Sequence, residues 1–197
     1  MNVKNLLLGA VIVACLVFSV SHMFGGGTSK PAVRRNLADE LAAYIAKEAA
    51  AGPKGSLLIL APPDDKKDPF AAELARSAEK QMKSAGFGPV DLERIPYNPA
   101  LEATGEPVAH DAFLEALKTH GGASVVLSLI GVPRLTDAEL PPAGRPRIIV
   151  ASVAKMRYLR SLPKGMIDFA IDVNQKPAGD SKAAGNVERF FSLYRPQ

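Results

Sequence analysis

Tryptophan is absent from this chain, and aromatic residues make up only 6% of it. With so few stacking side chains and a net charge of only +4, the chain does not fit single-stranded nucleic-acid binding, which needs aromatic platforms along a strongly basic groove. A single cysteine, Cys15, lies inside an apolar run near the N-terminus. The remainder therefore has no thiol for a disulfide, a cysteine metal site or thiol catalysis. Phosphate-cradling loops are missing too. The first apolar strand segment runs into Pro62, Pro63 and Asp64, with neither GxGxxG nor GxxxxGK[ST], which excludes the usual dinucleotide and P-loop sites. Gly179-Asp180-Ser181 lacks the second glycine and the strand–turn–helix setting of a nucleophile elbow. The three histidines, His22, His110 and His120, have no HExxH-type spacing.

The most specific feature is residues 6–24, an uninterrupted apolar stretch with no formally charged residue. Its length just reaches what a membrane-spanning helix requires. Three fates fit the same residues. A retained helix would anchor the chain in a lipid membrane. A signal peptide would use Lys4 as its charged region and Ser19-Val20-Ser21 as a cleavage site. The segment Ile12-Val13-Ala14-Cys15 also resembles a bacterial lipobox, with Cys15 as the acylated residue, although Leu16, Val17 and Phe18 continue the apolar run where lipoproteins turn polar. Counting Lys30, Arg34 and Arg35 against Lys4 favours a cytoplasmic domain. The usual role of such segments in export favours the periplasmic or extracellular side, and that is the expectation carried forward.

This divides the chain into a signal or anchor at 1–27, a polar linker at 28–35 and one α/β domain at 36–197. Asn36 has the form of an N-cap for an amphipathic helix over 36–51, which Gly52-Pro53 stops. Residues 56–61 form a short continuous apolar run, the pattern of a strand buried on both faces. Asp68 and Pro69 open a helix with Phe70, Leu74, Ala78 and Met82 on one face. A strand at 89–95, a helix at 109–119 and a buried strand at 124–130 follow. Thr136 and Glu139 have capping-box spacing and predict one helical turn. A strand at 147–153 and a short helix at 155–162 come next. Residues 166–173 alternate, with Ile167, Phe169, Ile171 and Val173 on one side and Asp168, Ala170 and Asp172 on the other, which predicts a sheet-edge strand with one wet face. Residues 175–186 read as a mobile loop, and 187–194 as an element that packs back as strand or helix.

The β-α-β-α-β-β-α-β alternation predicts a mainly parallel, doubly wound three-layer sandwich with strand order 2-1-3-4-5. In topology it resembles one lobe of the type I periplasmic-binding proteins, or a flavodoxin-like domain. That resemblance is of pattern and carries no motif of either family.

In such a sheet, ligands bind beyond the carboxyl ends of the strands at the switch point between strands 1 and 3. This nominates Asp64, Asp65, Lys66 and Arg134 as ligand-binding residues. An aspartate at the end of strand 3 would suit a phospho-receiver, but Leu129-Ile130-Gly131 stands there. Arg145, Arg147, Lys155, Arg157 and Arg160 form a basic stretch that reads as a solvated face or an anion contact. His120, at the end of its helix, reads as a dipole partner. No cofactor or catalytic residue is nominated. The reading is a ligand-binding or protein-interaction module, whose partner is a small ligand or an envelope protein. Its alternatives are a metal-assisted hydrolase using Asp64 and Asp65, and a structural accessory subunit of a membrane complex.

Overall fold

The computed structural model describes residues 31–63, 69–98, 108–141, 143–151, 159, 162–173 and 191–195. Among these residues, three helices, α1 (Pro31–Ala50), α2 (Pro69–Ser84) and α3 (His110–Thr119), accompany six strands: β1 (Leu57–Ala61), β2 (Val90–Arg94), β3 (Val125–Ser128), β4 (Arg147–Ala151), β5 (Phe169–Val173) and β6 (Phe191–Tyr194). They form one sheet in the order β2-β1-β3-β4-β5-β6. The first five strands are parallel, in the order the sequence predicts, and β6 joins β5 antiparallel as an added edge.

Every residue of β1 is buried, because the sheet is covered on both sides and a central strand has no wet face. The period of two then sorts the strand residues into two cores. Leu57, Ile59, Val125, Leu127, Ile149 and Phe169 pack beneath α1 and α2. Leu58, Leu60, Val126, Ile148, Val150 and Ala170 pack on the opposite side against Phe113 of α3, Val132, Leu135 and Leu159. On α1, Leu37, Leu41, Ile45 and Ala49 recur at helical spacing and are buried.

The orientation of α1 and α2 matters below. Ser77 of α2 donates a hydrogen bond to the Asp39 carboxylate of α1. Each is the ninth residue of its helix, and Ala46 and Ala50 of α1 meet Gln81 and Ser84 of α2 around one hollow, so the two helices run side by side and parallel. Both are antiparallel to β1. The carbonyl of Ala49, at the end of α1, accepts from Arg147, which opens β4. The starts of α1 and α2 therefore lie at the edge of the sheet where the parallel strands end, the carboxyl edge. Gly52, Gly122 and Arg147 lie at the opposite, amino edge.

Two expectations are corrected. The first helix begins at Pro31, not at Asn36, so residues 31–35 of the expected linker are helical. Proline is well suited to the first helical position, and nothing in Ala32–Arg35 interrupts the helix. Strand β5 has no wet face at Ala170, which is fully buried like Phe169 and Ile171. Ala170 packs in the second core, and β6 takes the edge position. The Thr136–Glu139 pair forms, and the one turn it predicts is present: the Leu140 and Glu139 N–H groups both donate to the Thr136 carbonyl, at 3.1 and 3.2 Å. Among the described residues, no helix is long and apolar enough to cross a membrane. The anchor segment 6–24, with Cys15 and His22, and the loop 175–186 lie outside the described residues.

Candidate functional site

The crevice between β1 and β3 arises where the chain leaves in opposite directions. From β1 it passes to α2 on one face; from β3 it passes to the α3 face, where Val132 and Leu135 are buried. Its floor is tightly stitched. Leu129 N–H donates to the Leu60 carbonyl (2.8 Å) and Ile95 N–H to the Ala61 carbonyl (3.0 Å), extending the sheet beyond β3 and β2 on either side of β1. Arg94, the last residue of β2, donates through Nη1 to the Pro62 carbonyl at 2.9 Å.

Ser128, fully buried at the end of β3, donates to the Gly131 carbonyl. Gly131 has φ +81, a left-handed conformation that glycine adopts without a Cβ penalty. The turn returns the chain to the second core, burying Gly131, Val132 and Pro133. Arg134 is then exposed between buried Pro133 and Leu135. Its backbone is held on both sides while its guanidinium is left in water, which suits recognition of an anionic group. Asp64, Asp65 and Lys66 lie outside the described residues, directly after Pro63. The chain thus enters the crevice from the expected side at Pro62 and Pro63, and Arg134 is the nominated residue the structure positions.

Two members of the expected basic stretch are engaged within the fold. The Arg145 side chain is only 7% exposed; it donates through Nε (2.9 Å) and Nη2 (2.6 Å) to the Leu140 carbonyl and pairs with Asp137. Arg147 bonds the Asp168 carboxylate and the carbonyls of Ala49 and Pro53. Lys155, Arg157 and Arg160 lie outside the described residues.

His110 and His120 have partners that no local sequence signal announces. His120 caps the end of α3 through its backbone N–H, which donates to the Ala116 carbonyl. Its ring also sits between two carboxylates of β2, with Nδ1 3.4 Å from Asp91 and Nε2 3.0 Å from Glu93. His110 Nε2 lies 2.7 Å from Glu139. Glu139 accepts from both the side-chain hydroxyl (2.7 Å) and the backbone N–H (2.8 Å) of Thr136. These two bonds, helped by His110, hold its carboxyl below the ordinary value of 4.5. Among the described residues, no group of three or more His, Cys, Asp or Glu is placed to hold a metal ion. A shallow hollow of about 480 Å³ between α1 and α2, lined by Ala46, Lys47, Lys54, Gln81 and Ser84, opens well away from the crevice, toward the C-terminal ends of both helices.

No protein-family model and no curated protein matches the chain. Among solved structures it is similar to a periplasmic ribose ABC transporter from Conexibacter woesei DSM 14684, at 13% identity and TM-score 0.48 over 68% of this chain and 45% of that one. An arabinose binding protein from Geobacillus stearothermophilus aligns at 11% identity and TM-score 0.44, over 71% of this chain and 45% of that one. A solute binding protein of an ABC transporter from Agrobacterium vitis, bound with alpha-D-tagatopyranose, aligns at 16% identity and TM-score 0.42, over 70% and 44%. The chain spans less than half the length of each. The fold assignment rests on the strand order and registers described above.

Proposed function

We propose that this protein is a membrane-tethered or exported α/β module that binds a small ligand carrying an anionic group, or an envelope protein presenting one, without transforming it. The observation that carries this reading is the switch-point crevice at the ends of β1 and β3, with exposed Arg134 clamped between buried Pro133 and Leu135. Asp64, Asp65 and Lys66 complete the proposed site, their mixed charge suiting a ligand with hydroxyl or amino groups beside its anion. The apolar segment 6–24 supports a module that works at or beyond a membrane, with the segment as an anchor, a cleaved signal or a lipoprotein signal acylated at Cys15.

Three measurements test this. Thermal melting against a panel of small carboxylates and phosphates should reveal a ligand that raises the melting temperature, and Arg134→Ala should remove that rise while leaving the unliganded melting temperature unchanged. Turnover of any panel member, lost on changing Asp64 or Asp65, would overturn the non-catalytic reading. Intact-mass analysis of protein taken from native membranes separates a retained N-terminus, cleavage after Ser21 and acylation at Cys15.

A further inference from the structure

The direction of α1 fixes which face of the domain a tether would bring to the membrane. We infer that the carboxyl edge of the sheet, the edge that carries the crevice, faces an anionic bilayer, and that the amino edge faces away. The inference rests on the proposed reading in its tethered form, with residues 6–24 retained in the membrane.

Only six residues, 25–30, separate Phe24 from the start of α1. Even fully extended, they span at most about 20 Å. Helix α1 has 20 residues and is about 30 Å long, while the five-residue strands beneath it are about 17 Å long. The end of α1 is fixed to the amino edge by the bonds from Arg147 to Ala49 and Pro53. Its start must therefore reach or pass the carboxyl edge. A tether this short cannot run along the domain to bring the amino edge to the headgroups, because the length to be covered exceeds its reach.

Charge agrees with the geometry. Arg35, in the second turn of α1, and Arg134, in the segment that follows the end of β3, are both exposed. Lys30 adds a cation in the tether itself. Basic residues next to a membrane segment are drawn to anionic headgroups. A crevice held within a short tether of the bilayer would meet its ligand or partner at the membrane surface rather than in bulk solution.

The absence of tryptophan supplies the test. A single tryptophan is introduced into the full chain at Arg134 (R134W), at Arg35 (R35W) or at Gly122 (G122W). Gly122 is exposed at the amino edge and has open space where a Cβ would stand. Each variant is reconstituted into phosphatidylethanolamine–phosphatidylglycerol vesicles containing headgroup-dansylated lipid, and energy transfer from the tryptophan is read. Melting temperatures close to wild type show that the variants fold, and R35W stands in for R134W if the latter does not. The expected result is several-fold more transfer from R134W and R35W than from G122W. Equal transfer, or more from G122W, with the chain still floating with the vesicles, overturns the orientation alone. A chain that does not float with the vesicles overturns the tether and the orientation with it.

Discussion

Arg147 and Asp168 join β4 to the residue preceding β5, and the same guanidinium ties both strands to the end of α1. Nε and Nη2 bond the Asp168 carboxylate, while Nη1 bonds the carbonyls of Ala49 (3.2 Å) and Pro53 (2.6 Å). One side chain thus bonds a carbonyl of the last turn of α1, which also accepts from Gly52 N–H, and the carbonyl of Pro53 just beyond it.

Arg147→Met should therefore lower the unfolding free energy by about 3 kcal/mol, since a largely covered carboxylate and two carbonyls lose a donor together. Gly52 is part of the same device. A Cβ there would lie 2.5 Å from the guanidinium carbon, so Gly52→Ala should cost about 1–2 kcal/mol by displacing it. In the double variant the clash has lost its object, and the combined cost should fall short of the sum. Denaturant titration of the four proteins measures this, and strict additivity would show that the two residues act separately.

Ala170 distinguishes the observed position of β5 from the one its sequence pattern suggests. At a wet sheet face, a glutamate in its place would be tolerated. Here Ala170 has no exposed surface and packs in the second core with Ile148, Val150 and Ile167. Ala170→Glu should cost more than about 3 kcal/mol or prevent folding, because a charge would enter an apolar core without a partner. Phe169→Ala, on the other face of the same strand, should cost about 3–5 kcal/mol. Thermal melting that leaves A170E near wild type would refute the two-sided burial.

These cases show what the sequence made legible. Apolar runs such as Leu57–Ala61 announce strands buried on both faces, and their alternation with helical segments is enough to order the parallel sheet. Alternation in 166–173 misleads because it reports a difference between neighbours and not where water is. Asp168 looks solvated in sequence, yet its partner Arg147 lies 21 residues away. Pairings of this kind arise from the packing of elements and leave no local signature. The crevice was legible for a different reason. Its position follows from topology, and Pro133-Arg134-Leu135 sits where the chain after β3 must turn. The early start of α1 was not legible, because Asn36 followed by Asp39 and Glu40 imitates a helix beginning inside a helix already under way.

His120 bridges two carboxylates of one strand face. Asp91 and Glu93 stand two residues apart on β2, and without the imidazole their charges would face each other across that face. If the histidine acted only on the helix dipole, its removal would be independent of Glu93. The observed approach to Glu93 predicts coupling. In a cycle of His120→Ala with Glu93→Gln, the interaction energy should be about 0.5–1 kcal/mol at low salt and should shrink as salt is raised, since both groups are partly exposed. A coupling near zero at low salt would return His120 to a dipole role alone.

Glu139 gives the fold a contribution that depends on pH. Bonds from the Thr136 side chain and backbone, aided by His110, hold its folded-state pKa below the ordinary 4.5. The ionised form is thus favoured by folding, and the contribution is fully present above 4.5. It is lost as the pH falls through the lowered folded-state value, where the carboxyl takes up a proton in the native protein as well. Glu139→Gln removes the ionisable group while keeping the shape. The variant should be less stable than wild type at neutral pH, and the gap should narrow as the pH drops below 4.5. Thr136→Val should reduce the gap as well, because it removes the hydroxyl that contributes most to the shift. Denaturant midpoints measured from about pH 7 down to about pH 3 follow this directly. A gap that stays constant across the range would mean that Glu139 acts through packing and not through its charge.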